Sequence, residues 1–267
     1  MKDILPYQSP QWQAENNGSC ELTIFLATDF FAYCINKINL GILAYGLETS
    51  DKTETLADNF LKWYDNNVIL KASFKETRVV ILTSKCTFVP NEYFSVTGLE
   101  TLCLPLFLLA TNETLKYSSL DQQEMHEIFA LDSELFYMVK SKFYVDKFHG
   151  ISRLNYDYVV KTKYDAAFAF FYQDYFHVLV FNEHQMVFSN FFSFTNLDTA
   201  LYHLVNVYEK LKLSRETFCL KLFGLSKDDE LLKFIAMYFS NYELKNEFKP
   251  LALQNEVGLQ SLFTPVA

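Results

Sequence analysis

The sequence contains two segments that repeat one pattern at a constant spacing. Residues 21–35 (ELTIFLATDFFAYCI) and 166–180 (AAFAFFYQDYFHVLV) each place an aspartate and following aromatic residues between two apolar runs. Asp29 falls on Asp174 in this comparison, and the register continues without a gap into a following helical pattern. The repeat therefore predicts one supersecondary unit used twice, which gives a two-lobed architecture with a cleft.

The first copy of this unit is predicted from its hydrophobic periodicity. Apolar runs at 21–28, 31–37 and 41–48 predict three strands of an antiparallel meander. Thr53 is expected to cap a helix, because apolar residues with helical spacing follow it. The β-branched run at 79–83 predicts a central strand. This order of elements indicates a sheet covered by helices.

The remaining elements follow from the same signals. Residues 90–111 are predicted to be a helical or irregular insertion and 111–123 a surface loop, after which strands and helices alternate from 127 to 161. For the second copy we expect strands at 166–173, 175–182, 186–193 and 218–223, with helices at 197–213 and 228–239. Glu216 is expected to correspond to Glu76 at the start of the crossover strand.

Length and order of elements set the domain organisation. A chain of 267 residues with 50% apolar composition can fold into two domains, each with its own core. We expect a lead-in at 1–19, a first lobe at 20–163, a second lobe at 164–245 and a C-terminal tail at 246–267. The expected fold class is α/β with mixed sheets.

The charge balance bears on possible partners. The net charge of −9 opposes tight binding to nucleic acid, which depends on clustered Lys and Arg side chains. The heavy aromatic content, 27 Phe and 17 Tyr against 7 Gly, makes glycine-rich ligand loops scarce. We therefore expect no nucleic-acid partner.

Cysteine and histidine usage predicts a reducing compartment and no metal site. The five cysteines include no CxxC pair, and the five histidines have no metal-binding spacing, so an isolated strand residue such as His177 is expected to be structural. The longest apolar stretch, 102–110, is too short to cross a bilayer and contains Pro105, and the N-terminus has no secretory apolar region. These features predict a cytoplasmic protein without a membrane span.

The run of elements resembles a known superfamily. The segments TIFLATDFFAYCI, RVVILTSKCTFVPNEYF, EIFALDSELFYMVKSKF and LYHLVNVYEKLKL are similar to an uncharacterised bacterial family of unknown function with the actin-like ATPase fold. That fold duplicates a ribonuclease H-like unit, and the chain also looks distantly similar to the pilus-assembly protein M family. The resemblance covers residues 20–245 and implies two ribonuclease H-like lobes with a central cleft.

This resemblance implies where a nucleotide site would lie. Members of the superfamily hold phosphates in two hairpin turns of the type Asp-x-Gly-Thr/Ser, one in each lobe. Here the acids are Asp29 and Asp174, but Phe31 and Phe176 stand where the family has glycine. The resemblance therefore implies that bulky rings fill the phosphate positions.

A second family feature is half retained. The adenosine-contacting Gly-Gly turn is matched by Gly224, Leu225 and Ser226. Asp29, Asp174, Gly224 and Ser226 are thus candidate residues of a vestigial nucleotide cleft. The two aspartates could in principle hold Mg²⁺, although a carboxylate at a tight turn more often accepts nearby backbone N–H bonds. We expect no resident cofactor or metal.

Two functions remain open at this point. The first is a non-catalytic binding or scaffold module, whose unknown protein partner could pair with an edge strand at 41–48 or 186–193, with a homo-oligomer as a further option. The alternative is a divergent ATP-binding protein, ATPase or kinase that uses the two aspartates and Gly224. A nuclease is disfavoured because residues 78–84 contain no carboxylate. Cys34 and Cys219 lie in apolar strands and are weak candidates for nucleophiles.

Overall fold

A computed structural model describes residues 7–245, except residues 11, 13, 39, 121, 122, 146, 173 and 174 and the side chains of 14–16. The described chain forms two compact units, one ending at Leu154 and the other beginning at Asn155. The division falls inside a helix, whereas the sequence places a lobe boundary after residue 163. The predicted tail at 246–267 lies outside the described residues, as does part of the predicted lead-in.

The first unit contains a large and a small sheet. Its elements are β1 (Tyr7–Gln8), β2 (Glu21–Leu26), β3 (Phe30–Lys37), β4 (Gly41–Thr49), α1 (Leu56–Asn66), β5 (Glu76–Ile81), β6 (Cys86–Pro90), α2 (Leu99–Cys103), β7 (Glu113–Leu120), β8 (Met125–Asp132), α3 (Ser133–Phe143), β9 (Phe148–Gly150) and α4 (Ile151–Thr162). The large sheet has the order β1-β4-β3-β2-β5-β9, and the small one β6-β8-β7. Helix α4 continues into the second unit.

The three-stranded meander and the helix after it match the sequence prediction. Strands β2 and β3 pair in antiparallel fashion, and β5 joins β2 in parallel after the crossover through α1. The helix begins two residues later than expected, because Thr55 is its N-cap and accepts a hydrogen bond from the Asp58 backbone N–H. Thr53 instead donates to the Asp51 carboxylate, so its predicted capping role is wrong.

The edge of the large sheet differs from expectation. Strand β4 was expected to offer a free edge at 41–48, but β1 pairs with Ala44 and Tyr45, and the Ser9 N–H donates to the Leu43 carbonyl. The N-terminal segment therefore covers part of this edge.

The small sheet includes a strand that the sequence does not reveal. Residues 113–120 form β7, which pairs along its length with β8, so the surface loop predicted at 111–123 is wrong. Polar residues in β7 hide its periodicity, because one face of this sheet is exposed. The other face packs on α2 around a small apolar core made of Val89, Leu99, Cys103 and Ile128.

The second unit is a single five-stranded sheet with helices. Its elements after α4 are β10 (Ala166–Phe171), β11 (Tyr175–Asn182), β12 (Gln185–Ser193), α5 (Leu197–Lys210), β13 (Leu220–Phe223), α6 (Glu230–Ala236) and β14 (Tyr242–Lys245). The order is β12-β11-β10-β13-β14. Helices α5 and α6 pack on one face through a core that includes Phe176, Leu204 and Ile235.

The two units repeat one strand register. Glu21 pairs with Asn36 in the first hairpin, and Ala166 pairs with Phe181 at the matching position of the second. A register shift follows at the corresponding point of β3 and β11. The crossover strands match less simply, because Glu216 lies before β13. Its predicted correspondence with Glu76 is wrong, since strand pairing and not a shared dipeptide sets the register.

Candidate functional site

The first hairpin turn is short and is tied to its neighbour. The Ala27 N–H donates to the Phe30 carbonyl (3.0 Å), which leaves Thr28 and Asp29 as the turn. The Ser50 N–H donates to the Asp29 carbonyl (2.9 Å), and the Ser50 hydroxyl donates to the Thr28 carbonyl (3.0 Å). Neither turn residue has a positive φ. The turn therefore lacks the left-handed residue with which backbone N–H groups form an anion-binding nest.

The aromatic ring at the family's glycine position lies in the core. Phe31 is 1% exposed, and its ring centroid lies 5.9 Å from that of Phe60 and 5.6 Å from that of Trp63, both on α1. The ring thus packs between the sheet and the helix. The prediction that it fills a phosphate position in front of the turn is wrong.

The second hairpin repeats this arrangement. The Tyr172 N–H donates to the Tyr175 carbonyl (2.9 Å) and closes a turn of the same length. Phe176 is fully buried, with its ring 4.8 Å from Phe171 and 5.5 Å from Phe192. Its ring is also a core element and does not occupy the space before the turn. Asp174 itself lies outside the described residues.

Gly224, which the resemblance implies for an adenosine-contacting turn, has a left-handed backbone conformation. It follows β13 directly and has a φ of +82°, a conformation that glycine adopts without strain. The Ser226 carbonyl accepts a hydrogen bond from the Asp229 N–H (3.2 Å), and Asp229 caps α6. Asp29 belongs to the first unit, and Gly224 and Ser226 to the second.

A small cavity of about 200 Å³ lies beside the first turn, within the first unit. It is lined by strand, loop and helix residues: Phe31, Glu48, Thr49, Asp51, Glu54, Asn59, Lys62 and Trp63. Hydrogen bonds from Thr53 lower the pKa of the Asp51 carboxyl. The Lys62 ammonium forms an ion pair with Glu54. Three carboxylates around one paired lysine make the cavity unfavourable for phosphate.

Asn59 holds the cavity loop in place. Its side-chain Nδ2 donates to the Asp51 carbonyl (2.8 Å), and its Oδ1 accepts from the Asp51 N–H (2.7 Å). This reciprocal pair fixes the loop after β4 against α1. Across the described parts of both units, no group of three or more His, Cys, Asp or Glu is placed to hold a metal ion.

A buried carboxylate on β8 accepts hydrogen bonds from several parts of the first unit. Glu127 on β8 is 0% exposed and accepts hydrogen bonds from the Gly150 N–H (2.9 Å), the Arg153 N–H (2.7 Å) and the Ser118 hydroxyl (3.0 Å). The Ser152 hydroxyl is a further donor. Burial raises the pKa of Glu127, and these donors oppose that shift. The carboxylate joins the small sheet to the start of α4, which is a structural role.

Cys34, Cys86 and Cys219 lack the features of a nucleophile. Burial raises the pKa of the Cys86 thiol, which lies against Glu127, and also raises the pKa of Cys34 and Cys219. A thiol with a raised pKa is protonated at neutral pH and is a poor nucleophile. Their sequence context likewise makes Cys34 and Cys219 weak candidates for nucleophiles.

His177 is a structural histidine, as its sequence context suggests. The ring is 0% exposed and stacks on Phe191 at 4.2 Å. Its Nδ1 accepts from the Asn155 amide (3.0 Å), and its Nε2 lies 3.0 Å from the Ser189 hydroxyl. Burial lowers the pKa of His177 to about 3, so the ring is neutral at physiological pH. The alternating pattern of this strand in the sequence does not reveal that Asn155 on α4 is a hydrogen-bond partner of His177.

These features can be set beside known proteins. A family model described as "Protein of unknown function (DUF3822)" matches residues 9–242. The chain belongs to the DUF3822 family. The resemblance to a family of unknown function is thus confirmed. No curated protein matches the chain.

Solved structures show the fold of this DUF3822 protein. A Bacteroides thetaiotaomicron protein with actin-like ATPase fold and unknown function is 20% identical, with a TM-score of 0.80 over 95% of this chain and 99% of the other. A chain of the PilM–PilN type IV pilus biogenesis complex is 11% identical, with a TM-score of 0.52 over 92% of this chain and 96% of the other. The ethanolamine utilization protein EutJ from Carboxydothermus hydrogenoformans is 6% identical, with a TM-score of 0.50 over 91% of this chain and 89% of the other. The predicted α/β actin-like fold is confirmed, as is the distant similarity to PilM.

None of the helices in residues 7–245 that the structure describes is long and apolar enough to cross a bilayer.

Proposed function

We propose that this DUF3822 protein is a non-catalytic actin-like module that binds a protein partner in the cytoplasm. The observation that carries the proposal is the backbone of the first turn. Thr28 and Asp29 both have negative φ, so the turn does not offer converging N–H groups to a phosphate. Phe31 anchors this conformation, because its buried ring fixes the strand that follows.

The electrostatic surroundings of the turn support the same conclusion. Glu48, Asp51 and Glu54 line the adjacent cavity, and its one lysine, Lys62, already pairs with Glu54. A triphosphate brought to this position would meet negative charge with no free cation lining the cavity.

Strand β12 is the surface best suited to a protein partner. It is nine residues long, carries no charged side chain and pairs with β11 alone within the part of the chain that is described. An uncharged edge strand of this length presents unpaired backbone groups to an extended peptide. The PilM relative was solved in complex with PilN, which supports a protein partner for the fold.

Calorimetric titration with Mg-ATP tests the absence of a nucleotide site. We expect no measurable heat of binding and no phosphate release by the purified chain. Micromolar binding that is lost in an Asp29→Asn, Asp174→Asn variant would overturn the proposal.

A capture experiment tests the partner edge. The wild-type chain and a Val187→Lys, Asn190→Lys variant serve as baits in the native lysate, with mass spectrometry as the readout. We expect a protein that binds the wild type and is lost from the variant, because lysines oppose edge pairing. Tyr202→Lys, an exposed change on α5, is the matched control and should retain the partner. Equal capture by all three baits would exclude β12 as the binding edge.

A divergent ATP-binding protein is the second candidate, and Gly224 is the observation that favours it. Gly224 lies between β13 and α6, where the resemblance implies an adenosine-contacting turn, and its φ of +82° is one that glycine adopts without strain. If this function holds, Gly224→Val should abolish nucleotide binding that the wild type shows, because valine is strained at this φ.

We also infer that the two units derive from one duplicated ancestral unit of bacterial origin. The matched register of Glu21 with Asn36 and of Ala166 with Phe181 supports this inference. Superposition of the two meanders in an experimental structure is its test.

A further inference from the structure

An apolar stretch of the first unit is exposed to solvent without a structural reason. We call residues 93–108 the leucine segment. It follows β6 and contains α2, and its side chains of Leu104, Leu106 and Leu108 are 66%, 58% and 75% exposed. Tyr93 and Val96 in the same segment are also mostly exposed.

The local core does not account for these side chains. Leu99 and Cys103 are buried in that core, and Leu102 and Phe107 pack against it. Leu104, Leu106 and Leu108 point away from it and remain exposed. Isolated exposed apolar residues are ordinary, but several large ones within a short stretch mark an interaction surface.

Residues 86–115, which include the leucine segment, carry charges of one sign only. Residues 86–115 contain no Lys, Arg or His. Glu100 within the segment and Glu92 just before it are exposed, while Glu113 forms an ion pair with Lys85. Glu100 lies one helical turn before Leu104, whose N–H donates to its carbonyl, so a ligand that covers the leucines meets acidic side chains and no cation from residues 86–115.

We propose that the leucine segment is a docking surface for a partner-protein segment with an apolar face bordered by lysine or arginine. The apolar face would cover Leu104, Leu106 and Leu108, and the cations would lie near Glu92 and Glu100. Charge complementarity selects this occupant over an anionic membrane, which the two carboxylates repel. This inference rests on the proposed function in one respect, which is that the ligand is a protein. It concerns the leucine segment and not the β12 edge.

Two synthetic amphipathic peptides test the proposal. Both carry the same leucine face; one has lysines at its ends and the other glutamates. In fluorescence polarisation with the full chain, the lysine peptide should bind with at least a tenfold lower Kd. Equal binding of the two peptides, or binding of neither, would overturn the proposal.

Variants locate the peptide on the surface. Leu104→Ser, Leu106→Ser, Leu108→Ser should weaken binding of the lysine peptide by tenfold or more, and Leu108→Lys alone should weaken it in the same direction. Val68→Ser, another exposed apolar position of the first unit, is the matched control and should bind like the wild type. A triple variant that keeps its thermal transition and still binds with wild-type Kd would refute the assignment.

Three other possible ligands of the leucine segment are tested in parallel: a membrane, a second copy of the chain and residues 246–267. Co-sedimentation with anionic vesicles that depends on the three leucines would replace the proposal with membrane binding. Leucine-dependent dimerisation in sedimentation velocity would assign a second copy, and tighter binding of a peptide of residues 246–267 would assign the chain's own tail. The Val187→Lys, Asn190→Lys variant should bind the lysine peptide normally, which separates failure at β12 from failure here.

Discussion

Gly150 shows how one missing side chain permits a buried polar contact. A Cβ atom placed there would lie 2.6 Å from the Cys86 sulfur and 2.7 Å from a Glu127 carboxylate oxygen. The glycine lets the carboxylate reach the backbone N–H groups at the start of α4. The site is therefore a packing constraint of the first unit.

Gly150→Ala should lower the free energy of unfolding by about 1–3 kcal/mol, because the added methyl group overpacks a filled site. Urea denaturation measures the change. Gly18→Ala is the matched control, since a Cβ there meets nothing within 4 Å, and its effect should stay below about 0.5 kcal/mol. Equal effects of the two substitutions would show that Gly150 is not sterically constrained.

His177 predicts a dependence of stability on pH. The buried ring has a pKa of about 3, against an ordinary value of 6.5, so between these values the unfolded chain binds a proton that the folded chain does not. The free energy of unfolding should therefore fall as pH drops from about 6.5. Relative to His177→Gln, the wild type should lose about 2–3 kcal/mol between pH 7 and pH 4.5. Parallel pH profiles of the two proteins would contradict this.

At the scale of elements, two threonines near the start of α1 have different roles: Thr55 caps the helix, and Thr53 binds Asp51. Thr55→Ala should cost about 1 kcal/mol of unfolding free energy, because it removes the hydrogen bond that the Asp58 N–H donates to the hydroxyl (3.1 Å). Thr53→Ala should cost less, since that hydroxyl binds Asp51 outside the helix. Chemical denaturation of both variants checks the order, and a larger cost for Thr53→Ala would contradict it.

The elements with clear periodicity could be predicted from the sequence. The strands β2 and β3 match the expected ranges within a few residues, and β8 and α3 begin the alternation of strands and helices expected from 127 to 161. Strand β7 could not be predicted, because polar and apolar residues occur on both of its faces: Leu115, Tyr117 and Ser119 alternate with Lys116, Ser118 and Leu120. Propensity signals are also ambiguous for a two-residue strand such as β1.

The first hairpin could be predicted from the sequence, but the direction of its aromatic side chain could not. The roles of Asp29 and Gly224 as candidate site residues stay predictions. The inward direction of Phe31 could not be predicted, because it depends on which face of β3 meets α1. The sequence shows that Glu127 is a charged residue at the start of an apolar run. It does not show the hydrogen-bond donors of this carboxylate, because they are distant in sequence.

At the scale of the whole molecule, net charge makes a prediction about nucleic acid. The chain carries −9 and should not bind single-stranded DNA at about 10 µM protein and low salt, because phosphate binding requires clustered cations. Fluorescence anisotropy of a labelled oligonucleotide measures this. Binding that weakens steeply with added salt would reveal a basic patch and contradict the prediction.

The overall architecture is the best-predicted property of the chain. The order of three strands, a helix and a crossover strand occurs in both units, and it is this order that the sequence repeat carries. Pairing partners within each sheet follow from it, since a meander fixes its own neighbours.

The inward packing of Phe31 also limits how the chain can change over generations. Replacing the ring with the glycine of the actin-like turn would empty a space beside Phe60 and Trp63, at a cost of about 3–5 kcal/mol. That is a large share of the stability of an ordinary domain. A change to a phosphate-holding turn would therefore need compensating changes in α1 first, because Phe31→Gly alone would remove much of that stability.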